Sequence, residues 1–421
     1  MGPMGPMGLM GLIRPMGPMR PMGLMGLIGL IGLMGLMGCS SDDEGAMGAG
    51  ASFEVRGCVT GFEEVNEPYG ANRANATNGQ TRAWLPPEEF RVDSTLADKT
   101  ISVFFTQAAE GDYEEEYFFM SSGKWRVSKT DLEAATYYLY GYMPHDKSYN
   151  ASLSKLPGDG KTFADGAVLR LENLPTVTSK DICIMIGAKN GAADYKDDPT
   201  DYSVTSLAKG DFEYVARTTT GEGSGGNLIY LLFDHLYSAM RFKIRVWKDY
   251  NALRTIKLKD LSMQAFTKEG LLDVPTTKKM NAEITLNKTV NGSDPISSPI
   301  TFTSVAGEES GSGSFFESED GEELITEYKT FTAHFVPQGV TKLVLTSKYD
   351  VYDKTPSPGH PEGNLIRQGC EAVNTIELKE LFPSEEEARR GRRYTINLTI
   401  RPTYLYMLSE PDLDNPGVTI N

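Results

Sequence analysis

LIYLLFDHLYSAMRFKIRVW, residues 228–247, carries the fold in its spacing, because Met240, Phe242, Ile244 and Val246 alternate with Arg241, Lys243 and Arg245. A period of two belongs to a strand, whose successive side chains point to opposite faces of a sheet. The same texture fills 100–106 (TISVFFT), 117–127, 136–142 and 167–174 upstream. It returns downstream in 253–266, 282–290, 325–336, 342–349 and 394–408, with Gly, Pro, Asn or Asp clusters between the runs. Long helical periodicity is nearly absent. The exception is 384–393, where Ser384 and Glu387 make a capping box and Arg389, Arg390, Arg392 and Arg393 load the far end, as a helix dipole prefers. The expectation is an all-β chain with one helix near its end.

The most flexible stretch between these runs is GEGSGG at 221–226, which has one charge and no apolar side chain. A boundary there divides the chain into 52–220 and 227–421, each the size of one antiparallel β-sandwich with long loops. The glycine- and acid-rich stretches 308–323 and 110–116 read as exposed loops, and neither has the Asp-x-Asp-x-Asp-Gly pattern of a calcium loop.

Composition removes several classes of function. Of 421 residues 40% are hydrophobic and 23% charged, which excludes a disordered, collagenous or multi-spanning chain. A formal charge of -16 without any basic stripe argues against a nucleic-acid partner, whose phosphates must be neutralised by clustered Lys and Arg. His145, His235, His334 and His360 are scattered and no C-x-x-C pair occurs, so the spacing supports no metal site. No Gly-x-Ser-x-Gly elbow, His-Glu-x-x-His helix or phosphate-cradling glycine loop is present, and neither a cofactor nor catalysis is expected.

The first 38 residues stand apart, with Gly at every third position from Gly2 to Gly38 except at Arg14 and Arg20. That period is collagen's, but after Pro21 the stretch has no proline to hold polyproline II. A basic region ending at Arg20, an uncharged stretch 21–38 and then Leu36-Met37-Gly38-Cys39 fit a secretory signal better. The last four residues resemble a bacterial lipobox, which implies lipid attachment through the Cys39 thiol and an outer-membrane anchor. Translation starting at Met16 or Met19 would give a leader of ordinary length, and a retained membrane helix is the alternative. Residues 39–51 follow as an acidic tether that includes SSDDE at 40–44. With Cys39 lipidated, Cys58, Cys183 and Cys370 remain, and buried free thiols are favoured over a bridge.

Several segments together resemble the fimbrillin family, the subunits of type V pili. They are Phe233-Asp234-His235-Leu236 followed by Met240-Arg241-Phe242-Lys243-Ile244, the run Tyr137-Tyr138-Leu139-Tyr140-Gly141-Tyr142, the tripeptide Thr81-Arg82-Ala83, and the closing Asn397-Leu398-Thr399-Ile400-Arg401-Pro402-Thr403-Tyr404-Leu405-Tyr406. The resemblance implies two transthyretin-like antiparallel β-sandwiches in tandem and a surface subunit that supports adhesion. Its partners would be other pilus subunits, reached by strand exchange. It also implies that a trypsin-like protease removes the first strand by cutting after an arginine.

The residues accommodate that scheme. A sandwich lacking one strand exposes two sheet edges and an apolar groove, which a strand from another chain can fill. The first strand candidate is 52–62, with Phe53, Val55 and Gly57 on one face. Arg56, Arg73 and Arg82 are available to the protease. Arg73 and Arg82 flank the polar stretch behind that strand, and Arg82 is the favoured cleavage point; all three also read as ordinary arginines that are never cut. The candidate donor is 394–421, led by the alternating Tyr394, Ile396, Leu398 and Ile400, which equally read as the last core strand of the second half. A glycan-binding surface lipoprotein is the alternative function, and exposed Trp84, Trp125 or Trp247 would mark it.

Overall fold

The computed structural model describes residues 53–66, 100–108, 113–121, 124–129, 132–190, 209–216, 227–289, 294–296, 299–355, 359 and 363–401. In chain order the strands are β1 (Phe53–Val59), β2 (Glu63–Asn66), β3 (Ile101–Thr106), β4 (Glu116–Ser121), β5 (Lys124–Val127), β6 (Thr136–Met143), β7 (Ser152–Lys155), β8 (Gly166–Pro175), β9 (Val177–Thr178), β10 (Cys183–Asn190) and β11 (Glu213–Val215). They continue as β12 (Asn227–His235), β13 (Ser238–Val246), β14 (Arg254–Glu269), β15 (Leu272–Pro275), β16 (Lys279–Asn287), β17 (Thr301–Ser304), β18 (Gly313–Leu324), β19 (Lys329–Phe335), β20 (Val340–Asp353), β21 (Leu365–Glu377) and β22 (Arg392–Ile400). The α-helices among the described residues are two short ones, Lys248–Leu253 and Leu378–Leu381.

The all-β expectation holds. One sheet runs β10-β12-β1-β5-β4-β3-β6-β11, and Cys183↔Met143 and Ile184↔Tyr142 pair β10 back to β6, closing a ring. One face of the ring gathers Val55, Val103, Phe105, Phe118, Leu139, Met185, Ile229, Leu231 and Phe233. The other face of β6, β10 and β12 presents Tyr140, Tyr142, Ile184, Ile186, Tyr230 and Leu232 to β8 and β16 of a four-stranded sheet, β17-β16-β8-β7. Because β12 is buried on both faces, its sequence is a continuous apolar run where a half-exposed strand would alternate.

β13 does alternate. It lies in a second layer, β2-β22-β13-β19-β9, and sends Met240, Phe242, Ile244 and Val246 towards Ile256, Leu258, Leu261 and Met263 of β14 in the opposing sheet β15-β14-β20-β21. Most pairings are antiparallel, as expected, but β1–β12, β2–β22 and β13–β22 are parallel. Residues 46–421 form one compact unit, and the two halves drawn at 221–226 trade strands. β12, β16 and β17 come from beyond that point and join sheets of the first half, while β2 and β9 join the second.

Two local expectations are corrected. Residues 308–323 are not a loop throughout, because β18 pairs along β14. Its outward Ser, Glu and Asp residues cover a sheet edge with charge, a composition that resembles a loop. The segment 384–393 is not a helix. Glu385 is buried there with its carboxylate taken by Arg392 and by the Tyr394 hydroxyl (3.2 Å), and the Ala388 amide donates to the Val340 carbonyl at 2.7 Å, so tertiary partners override the capping box.

Gly141 in β6 sits where a Cβ would lie 2.0 Å from the Ser102 carbonyl oxygen of β3, and the absence of a side chain permits that close approach. Beside it, the Glu115 carboxylate accepts from Ser102 Oγ at 2.6 Å and the Tyr142 hydroxyl at 2.8 Å, with His145 Nδ1 at 3.2 Å. Burial acts to raise this carboxyl, but the bonds from His145, Ser102 and Tyr142 outweigh it and hold Glu115 below the ordinary value. A carboxylate held low in the fold contributes stability that is complete above its unfolded pKa and is lost as pH falls through the folded one. Glu115→Gln should therefore flatten the acid limb of a urea-midpoint-versus-pH curve and cost about 2 kcal/mol at neutral pH. An unchanged acid limb would show that Glu115 has no part in acid stability.

Candidate functional site

The residues 53–66 tie the two layers together. β1 lies inside the ring sheet, held to β12 by seven parallel pairs from Phe53↔Asn227 to Val59↔Phe233, and to β5 by the single pair Phe53↔Trp125. Val55 and Val59 are buried in the ring's core and Gly57 is buried between them, while Arg56 is half-buried on the opposite side. Each valine is worth about 1.5–3 kcal/mol of burial, and the paired flank along β12 adds main-chain hydrogen bonds to their hold on β1. β2 then pairs with β22 at the edge of the second layer, with Val65 packed on its core.

Polar clamps fix the connection between the two strands. The Thr60 hydroxyl donates to the buried Asp234 carboxylate, which also takes the Arg390 guanidinium and, at 3.0 Å, the His235 amide. Arg392 grips Glu63 through two bonds of 3.1 Å, and Arg393 grips Glu64 at 2.8 Å through Nε. The arginine cluster read as a helix end is thus the clamp on β2.

Phe62 lies between Thr60 and β2, stacked on the His235 ring with centroids 3.5 Å apart, near His334 at 6.0 Å and beneath the Arg393 guanidinium at 5.2 Å. A cavity of about 560 Å³ opens there, lined among others by Phe62, Asp181, Cys183, His235 and His334. Asp181 Oδ2 is 2.9 Å from His235 Nδ1, Cys183 Sγ is 3.7 Å from the same nitrogen, and His334 Nε2 is 4.0 Å from Asp181 Oδ1. Burial acts to raise the Asp181 carboxyl, but His235 and His334 outweigh it and hold the carboxyl low. Burial pushes the His334 imidazole below its ordinary value, which Asp181 partly offsets.

Of the residues singled out in the sequence, Cys39, Arg73, Arg82 and Trp84 lie outside the described residues. Tyr394, Ile396, Leu398 and Ile400 all lie in β22, between β2 and β13, with Tyr394 and Ile396 buried in the second core. There they complete this chain's own sheet. Arg56 is paired within β1, where a protease cannot engage its backbone. Cys183 is buried and Cys370 half-buried, and neither is in a disulfide. Trp125 is buried, whereas Trp247 is exposed with the Arg401 guanidinium 4.5 Å from its ring centroid. Thr60, Phe62 and Asp181 were not singled out, and Arg390 was read only as part of a helix end; the signal nearest to them is Asp234-His235 interrupting the apolar run of β12.

No family model and no curated protein matches the chain. Among solved structures, a fimbrial protein from Bacteroides vulgatus is 13% identical, with 73% of this chain and 91% of that one covered at a TM-score of 0.29. A fimbrial protein from Bacteroides ovatus is 8% identical, covering 84% of this chain and 51% of that one at a TM-score of 0.29. Superpositions this loose fix neither register nor function.

Proposed function

We propose that this chain is a structural subunit of a cell-surface pilus, of the fimbrillin type, and that it polymerises by exchanging the segment 53–66 for a strand from a neighbouring subunit. The observation that carries this reading is the seat of β1. Val55, Gly57 and Val59 fill a slot in a closed ring, yet β1 is followed at once by β2 and then by a stretch bearing Arg73 and Arg82. Loss of 53–66 would leave β12 and β5 with unpaired edges over an apolar groove and would strip the edge of β22 at the same time. A donor strand gains main-chain hydrogen bonds and apolar burial together, which is the physics of strand addition.

In this reading a trypsin-like protease cuts after Arg82 or Arg73, and Cys39 holds the exported precursor at the outer membrane through its lipid until that cut. Because Tyr394, Ile396, Leu398 and Ile400 already serve β22, the donor is the part of 394–421 that follows Ile400. Partners are other subunits, and no step is catalytic. Limited trypsin treatment of the mature chain, followed by mass spectrometry and size exclusion, tests the scheme. Cleavage after Arg82 or Arg73 with growth of higher oligomers is expected, and Arg73→Ala with Arg82→Ala should abolish both. A cut chain that stays monomeric and keeps 53–66 bound would overturn it.

A further inference from the structure

His235, His334 and Cys183, far apart along the sequence, converge at the cavity beneath Phe62. Cys183 and His235 are direct partners across β10 and β12, both buried, and Asp181 lies two residues ahead of Cys183. His334 arrives from β19, which pairs with β9 of the same segment through His334↔Thr178. One carboxylate oxygen, one thiol sulfur and one imidazole nitrogen here lie within 4.8 Å of one another.

Two readings compete for such a set. A Cys-His-Asp relay needs the thiol on one ring nitrogen and the carboxylate on the other, since the imidazole passes a proton between them. Here both approach the same nitrogen, Nδ1, at 3.7 Å and 2.9 Å, and Nε2 is buried with no hydrogen-bond partner. That convergence defeats a relay and suits a single ion held between the three. Tetrahedral zinc, with bonds of about 2.0–2.3 Å, sets neighbouring donors about 3.3–3.6 Å apart, close to the 3.7 Å and 2.9 Å from Cys183 and Asp181 to His235 Nδ1, while His334, 4.0 Å from Asp181, must move inward to join them. Calcium and magnesium are excluded by chemistry, because they take six or more oxygens and this set offers one carboxylate.

We propose that Asp181, Cys183 and His235, with His334 as the fourth donor, bind one zinc ion. On binding, the Cys183 thiol releases its proton to solvent and its sulfur joins the metal. The His235 proton moves from Nδ1 to Nε2, freeing the Nδ1 lone pair. Carboxylate and thiolate together balance the two charges of the ion. The site stands on this geometry alone and does not depend on the pilus reading.

Cobalt(II) added to the full, reduced chain is the probe. One equivalent should produce a thiolate-to-cobalt charge-transfer band in the near ultraviolet that zinc displaces. Cys183→Ser should abolish the band, His235→Gln should weaken zinc binding at least about tenfold, and Cys370→Ser should leave both unchanged. Where Cys183→Ser does not fold, the unaltered chain decides: zinc should protect Cys183 from alkylation, read by peptide mass spectrometry. Absence of the band, its survival in Cys183→Ser, or alkylation of Cys183 at the same rate with and without zinc would overturn the proposal.

Discussion

Replacing Val55 with aspartate is expected to expel β1 and leave the rest of the chain folded. Val55 is fully buried in the ring's core, so the new carboxylate has no partner and no water there, at a cost of about 4 kcal/mol or more. The cost falls on a strand that pairs along its full length with β12 but meets β5 through a single pair. Detachment is the cheaper response than global unfolding, and it leaves the edges of β12 and β5 open. The variant should therefore form oligomers without any protease, with β-type circular dichroism retained and trypsin sensitivity gained within 53–66. A monomeric variant with native resistance would mean that β1 is not the detachable piece. A chain that loses its circular dichroism would mean that β1 belongs to the indivisible core.

Asp234→Ala should be the most damaging exchange outside the apolar cores, costing about 3–5 kcal/mol of unfolding free energy by urea titration. Asp234 is almost fully buried, and its carboxylate takes the Thr60 hydroxyl, the Arg390 guanidinium and the His235 amide. Removing it takes the near carboxylate from a largely buried guanidinium, which keeps the His235 carbonyl at 3.0 Å and Asp294 at 3.7 Å, whereas Thr60→Val removes one donor and should cost about 1 kcal/mol. The ratio between the two variants is diagnostic. Similar losses in both would show that the Arg390 pair contributes little and that Thr60 carries the junction.

The strands were legible wherever one face is buried and the other wet, as in β13, because alternation is the direct image of that environment. β12 was read as part of the alternating run 228–247, although burial on both faces erases the alternation in it. β18 and β21 were missed because they are polar on most positions and are recruited by neighbours already in place. The segment 384–393 carries a sound local helix signal, yet Glu385 and Arg392 find partners in the folded chain that outweigh it. The junction was the least legible part. Thr60, Asp181, Asp234, His334 and Arg390 are far apart along the chain, and the pairing of β12 with β1 and β10, of β9 with β19 and of β13 with β22 brings them to one place. Parallel entry of β1 beside β12 likewise joins residues about 170 positions apart, a distance no periodicity encodes.

The orientation of the β1 seat also has a mechanical consequence. β1 lies alongside β12 over seven residue pairs, so traction along a strand that took its place in the same register would stress those pairs simultaneously and not one after another. A fibre joined at such seats would resist shear far better than peeling, and single-molecule stretching of a linked pair should show one abrupt high-force rupture. A low, stepwise release would mean that the neighbour is held elsewhere.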